Sequence, residues 1–226
     1  MNLFDILGPV MVGPSSSHTA GAVRIGRMAR RLLACGTPMS AKIELSGSFA
    51  ATGKGHGTDR ALVAGLLGMQ PDDERIAVSF DVAKKEGMAF GFSRINLSGE
   101  HPNTARITLT AKEGEKLVVT AASLGGGRIE VVEMNGLRAK FSGELPTLIV
   151  QNEDKPGHVG EVATMLYKRG INLATMRLYR DFPGGSAVMI IETDKAVPPE
   201  GIMWLQHIDG IRSVTFLDAE EEKHGH

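Results

Sequence analysis

Residues 148–176 read LIVQNEDKPGHVGEVATMLYKRGINLATM, and their punctuation divides them into strand, helix and strand. TLIVQNED, starting at Thr147, is a β-branched and apolar run. A helical pattern then opens at Pro156 and closes before Gly170, the placement of proline and glycine that marks the two ends of a helix. INLATMRLYRD returns to strand character. Downstream, GSAVMIIETD reads as a strand, PPEGIMWLQHIDG as a second helix and IRSVTFLDAE as a last strand. The order over residues 147–219 is therefore βαββαβ. Before it, FSGELP at 141–146 carries Gly and Pro and reads as a linker. The acidic segment 220–226 reads as a frayed tail.

Residues 1–140 read differently. The segment from Ser17 to Ala34 is an amphipathic helix: Ala22, Ile25, Met28, Ala29, Leu32 and Leu33 recur at helical spacing, while the arginines fall mostly elsewhere. Gly36 and Pro38 end it. AKIELSGS alternates as a strand, RALVAGLLGM is a helix opened by Thr58-Asp59, and RIAVSF reads as a short strand. SRINLSGEHPNTARITLTA reads as two strands around a loop containing His101. EKLVVTAASLGGGRIEVVEMNGL reads as two strands with a triple-glycine interruption. Strands and two good helices without a strict βαβ repeat predict an α+β chain, with an α/β sandwich in its N-terminal part.

Bulk composition excludes several classes. Of 226 residues, 42% are apolar, enough for a core, and the formal net charge of −1 argues against a nucleic-acid partner held by bulk electrostatics. No run of about 18 apolar residues occurs, so no membrane span is expected. MNLFDILG lacks the basic start and long apolar run of a signal peptide. One cysteine, Cys35, can form neither an internal disulfide nor a thiolate metal site; its plain reading is a helix-terminal residue before Gly36. A cytoplasmic protein is the simplest expectation.

Two stretches concentrate chemistry. In GPVMVGPSSSHTAGAVRIGRMARRL, residues 8–32, a helix start carries Ser15, Ser16, Ser17, His18 and Thr19. A helix needs one cap, worth about 1 kcal/mol, and Ser16 or Ser17 can supply it. The remaining hydroxyls point to a site for an anion and a hydroxyl, with free helix-start amides for a carboxylate and His18 to hydrogen-bond or move a proton. A nucleophilic pair of adjacent serine and histidine is disfavoured, because helix neighbours at i and i+1 do not face each other. In GSFAATGKGHGTDRALVAG, residues 47–65, Gly53, Gly55 and Gly57 surround His56 and let backbone and ligand approach its ring. The spacing matches neither a dinucleotide fingerprint nor a P-loop. The plain alternative is an exposed loop histidine. The triple glycine at 125–127 reads as a bulge in a strand, ahead of an anion-binding nest.

The βαββαβ segment, a ferredoxin-like split unit, resembles an ACT domain. The carrying residues are those quoted first, with Asp154-Lys155-Pro156-Gly157 matching the family's loop between first strand and first helix. The resemblance implies an amino-acid site at Asp154, Pro156 and Gly157, with His158 and Asn172 near the same end, and a homodimer through the domain. Asp154 as a helix cap and Gly157 as a turn are the plain alternatives.

Together ILGPVMVGPSSSHTAGAVRIGRMAR, GSFAATGKGHGTDRALVAGLLGM, HPNTARI, SLGGGRIEV and the ACT segment resemble the β subunit of iron–sulfur-dependent bacterial L-serine dehydratase. The resemblance spans nearly the whole chain. It implies an N-terminal fold similar to the allosteric substrate-binding domain of some phosphoglycerate dehydrogenases, and conversion of L-serine to pyruvate and ammonia. It implies a [4Fe–4S] cluster that polarises the leaving hydroxyl and that a partner α subunit ligates, since Cys35 cannot supply the several thiolates such a cluster needs. Single-chain relatives carry those cysteines in a further helical domain. Under this resemblance His18 and His56 are the candidate proton-transfer residues, with acid and base unassigned, and Ser15, Ser16, Ser17 and Thr19 orient L-serine. A purely regulatory subunit and a stand-alone amino-acid sensor are the other readings.

Overall fold

A computed structural model describes residues 11–13, 15–34, 36–53 and 55–219. The expectations for MNLFDILG, for Cys35 and for the tail 220–226 lie outside the described residues. The chain divides into two compact units, residues 1–135 and 136–226. The linker expected at 141–146 falls inside the second.

In the first unit a π-helical turn, Ser16–Ala20, runs directly into α1, Gly21–Leu33. α1 ends with Ala34 in the left-handed conformation, φ 56°. There follow β1 (Ser40–Leu45), α2 (Gly47–Thr52), α3 (Thr58–Leu66), a 3-10 turn (Glu74–Val78), α4 (Ser79–Lys85), β2 (Ala89–Arg94), β3 (Thr104–Thr110), β4 (Lys116–Gly125) and β5 (Arg128–Met134). The strands lie in the order β2-β1-β3-β4-β5. β2 runs parallel to β1, and the other pairs are antiparallel.

Register explains why this sheet buries a face. Ile43 stands opposite Ile107, Ile107 opposite Val119 and Val119 opposite Met134, and all four are buried. Strand side chains alternate between faces, so this row is one apolar stripe across the sheet. α1 packs on the sheet and crosses α3 at Gly26 and Gly65. A Cβ on Gly26 would stand 2.3 Å from the Leu62 carbonyl oxygen, and one on Gly65 would stand 2.1 Å from that of Val23. Only glycine permits this backbone approach.

Three elements differ from the sequence expectation. RIAVSF is not a strand: it is the 3-10 turn and the start of α4. Asp73 caps the turn through the Arg75 N–H, and Ile76, Ser79 and Ala83 are buried at helical spacing, so the run follows a three-to-four period rather than alternation. AKIELSGS is not strand to its end: β1 stops at Leu45, and Gly47 and Ser48 open α2. The triple glycine is the turn joining β4 to β5, with φ of 93°, 61° and 79°, and a register shift between Ser123 and Gly125 accompanies it.

The second unit holds β6 (Leu137–Phe141), β7 (Thr147–Glu153), α5 (His158–Lys168), β8 (Leu173–Arg180), β9 (Ser186–Thr193), α6 (Pro199–Gln206) and β10 (Ile211–Leu217). From β7 onward this is the expected βαββαβ order, with strands arranged β10-β7-β9-β8. Leu148, Val150, Met189 and Ile191 of the sheet pack with Val162, Met165, Leu166 and Leu205 of the two helices in one buried cluster. The fold is α+β throughout.

Candidate functional site

The run Ser15–Thr19 distributes its side chains among different neighbours. Ser15, not Ser16 or Ser17, is the cap: its Oγ accepts the His18 N–H at 3.2 Å, because the helical turn begins at Ser16. The same Oγ lies 3.4 Å from His18 Nδ1. A serine–histidine pair therefore exists, at a spacing of three rather than one. Ser17 faces the triple-glycine turn, its Oγ 3.7 Å from where a Cβ of Gly125 would stand. Thr19 turns inward. It is buried against Gly13, whose Cβ would lie 2.7 Å from Thr19 Oγ1, and that hydroxyl has no partner among the described residues. Ser16 is half-buried.

His18 reaches across to α2. Its Nε2 lies 3.2 Å from Ser48 Oγ and 3.1 Å from Thr52 Oγ1. Its ring meets the buried Phe49 edge-on at 5.4 Å. The His56 ring stands 5.1 Å away, tilted by 39°. His56 is exposed, and its N–H bonds the Thr52 carbonyl. Burial, and after it the charge of His56, pushes the His18 imidazole below its ordinary range. A neutral imidazole beside hydroxyls can take a proton.

α2 is itself placed by the HPNT loop. The Pro102 carbonyl accepts the N–H groups of Ser48 and Phe49, and Gly47, at φ +54°, sits so close that a Cβ would stand 2.5 Å from the Pro102 oxygen. His101 is tied into the same loop, accepting the Asn103 N–H at Nδ1. Ser48, Phe49 and Thr52 escaped the sequence reading. Their one signal is the pair of hydroxyls at i and i+4 in GSFAAT, and what they contact lies about 30 residues away.

In the second unit, Asp154 neither caps α5 nor stands free. It accepts from the Gly184 N–H and from Arg180, each at 3.0 Å. These contacts, the Gly184 N–H foremost, hold its carboxyl below the ordinary range. Gly157, at φ +109°, is the N-cap position of α5. His158 is buried, with Nδ1 2.9 Å from Glu161 and Nε2 without a partner among the described residues. Pro156 stands in the turn between Asp154 and Gly157. Asn172 corrects the expectation of a shared end. It follows the C-terminus of α5, bonding Asp194 at 2.8 Å, and an 11-residue helix carries the chain about 16 Å from Gly157.

Among the described residues no three His, Cys, Asp or Glu converge to hold a metal ion, and no helix is long and apolar enough to cross a membrane. A thiolate-ligated cluster does not fit this chain's donor set, which has one cysteine.

Comparison with known proteins gives the context of this site. A serine dehydratase beta chain family model matches residues 2–86, and an ACT domain model matches residues 146–203. The chain is 43% identical over 214 residues to the probable L-serine dehydratase, beta chain, of Bacillus subtilis (strain 168), covering 95% of this chain and 96% of that one. It is 38% identical over 193 residues to the L-serine dehydratase, beta chain, of Peptoniphilus asaccharolyticus, covering 85% and 86%. A D-3-phosphoglycerate dehydrogenase of Methanocaldococcus jannaschii is 30% identical over 112 residues, 50% of this chain and 21% of that one. With the His18 site and the βαββαβ unit, these matches lead to one conclusion: the chain belongs to the L-serine dehydratase beta-chain family and carries an ACT domain.

Proposed function

We propose that this chain is the β subunit of an L-serine dehydratase, acting with an α subunit that holds a [4Fe–4S] cluster, and that its part of the serine site is the His18 group. The observation that supports this most is the convergence of Ser15 and His18 from one stretch with Ser48, Thr52 and His56 from another, about 30 residues away. Family membership supplies the reaction, in which L-serine gives pyruvate and ammonia. The cluster, when bound in the partner, supplies a Lewis acid for the leaving hydroxyl. Within this chain, His18 is the base, neutral through burial and the nearby His56, and Ser15 holds its Nδ1 side. Ser16 and Ser17, half-buried at the same helix start, orient the substrate. His56, the more exposed ring, serves as the acid. The ACT unit carries amino-acid regulation, at the turn from Asp154 to His158, and pairs two copies of the chain through an outer strand, β8 or β10. A cytoplasmic enzyme fits this reading.

Co-expression with a cysteine-rich α chain and anaerobic assay of serine turnover tests the proposal. The complex turns over serine and the isolated chain does not. If the complex is inactive on serine but the chain binds an amino acid, the sensor reading replaces it.

A further inference from the structure

The hydrogen bonds around His18 determine more than its position. Thr52 Oγ1 lies 2.9 Å from the Ser48 carbonyl oxygen and donates to it. A hydroxyl has one proton. Once that proton is committed to the carbonyl, Thr52 Oγ1 can only accept from His18 Nε2, 3.1 Å away. On the other side of the ring, Ser15 Oγ accepts the His18 N–H and keeps its own proton free to donate to Nδ1 at 3.4 Å. The two sides agree: both are satisfied when the ring proton is on Nε2 and the lone pair is on Nδ1. The reverse tautomer sets an unprotonated Nε2 against a threonine with no proton to give.

We propose that Thr52 is a positioning residue that fixes His18 as the Nε2–H tautomer, so that Nδ1, on the Ser15 side, is the atom that takes a proton. The ring then works in one direction. Nε2–H is anchored on α2 through Thr52 and Ser48, and basicity is presented at the start of the π-helical turn. Ser48 Oγ, 3.2 Å from Nε2, shares the anchoring role, but its proton is not committed, so it cannot set the tautomer alone. Of the titratable groups, His56 is the one that bears on His18 among the described residues, and it acts on charge rather than on tautomer. The catalytic consequence rests on the reading of His18 as part of the serine site; the tautomer itself stands on this chain alone.

Thr52 is exposed and ends a short helix, so Thr52→Val removes the acceptor while disturbing no core. Nitrogen-15 NMR of the labelled full chain, at a pH where His18 is neutral, reads which ring nitrogen carries the proton. The expected result is protonated Nε2 in the wild type, a mixed or Nδ1-protonated ring in Thr52→Val, and the wild-type pattern restored in Thr52→Ser. In the α/β complex, Thr52→Val should lower serine turnover about tenfold or more and displace its pH profile, with Thr52→Ser close to wild type. A wild-type ring protonated on Nδ1, or a Thr52→Val ring identical to the wild type, overturns the inference. So does normal turnover with an unchanged pH profile in Thr52→Val. If His18→Ala abolishes turnover while Thr52→Val does not, the positioning role fails and the proposed function stands. If the NMR result is as expected but His18→Ala leaves turnover normal, the proposed function fails while the tautomer assignment holds.

Discussion

His18 is held on three sides, by Ser15, by Ser48 and Thr52, and by the edge of Phe49. Its depressed affinity for protons has two causes, burial first and His56 second, and they can be separated. In His56→Ala the like charge is gone and burial remains. The His18 midpoint, followed by its ring-proton shifts during a pH titration, should therefore rise but stay below that of a free imidazole. A midpoint unchanged by the substitution would show that His56 does not act on it. The same depression has a sign for stability. The unfolded chain binds the proton more readily, so the contribution is present above the ordinary imidazole range and is lost as pH falls through the folded value. Denaturant midpoints should decline from pH 7 toward pH 5, and the decline should be shallower in His56→Ala.

At the scale of elements, the glycine contact between α1 and α3 carries a definite cost. Gly65→Ala places a methyl against the Val23 carbonyl, and neither backbone can yield without separating the helices. Overpacking of this kind costs about 1–3 kcal/mol, to be read as a lowered denaturation midpoint; a midpoint at or above that of the wild type contradicts the close crossing. In the ACT unit, Leu148→Ala leaves a cavity in the cluster beneath α5 and α6 and should cost about 2–5 kcal/mol by the same measurement. These elements were largely legible in the sequence. α1, α3 and α5 carry sustained helical spacing, and the punctuation of 147–219 by Pro156, Gly170 and Pro198 separates the strands from the helices. RIAVSF was not legible as helix, because Ile76, Val78 and Phe80 mimic alternation over too short a run, and only Ala83 beyond it reveals the longer period. α2 is a six-residue helix fixed by the Pro102 carbonyl from another segment. Ser15, His18 and His56 stood out by residue type. Ser48 and Thr52 did not, since their role comes from a ring about 30 residues earlier in the chain. Asn172 was misplaced because its motif gives no account of the length of α5.

For the whole molecule, one cysteine in 226 residues cannot supply the several thiolates of an iron–sulfur cluster, which is why the proposed function assigns the cluster to a partner. Anaerobic reconstitution of this chain alone should yield no stoichiometric iron or sulfide; a broad visible absorbance with both would overturn the division of labour between subunits. The proposed function places the His18 group in the serine site of the assembled enzyme rather than in a loop of no consequence. A proton-transfer residue contributes about 10²–10⁴-fold in rate, whereas a surface substitution usually shifts stability by no more than about 0.5 kcal/mol. The direct measurement is steady-state serine turnover by the α/β complex carrying His18→Ala, with assembly checked by size-exclusion chromatography and His207→Ala, at the end of α6, as the comparison. Turnover should fall about a hundredfold or more in a complex that still assembles, with His207→Ala near normal. Near-normal turnover by an assembled His18→Ala complex would contradict it and leave this chain a regulatory subunit.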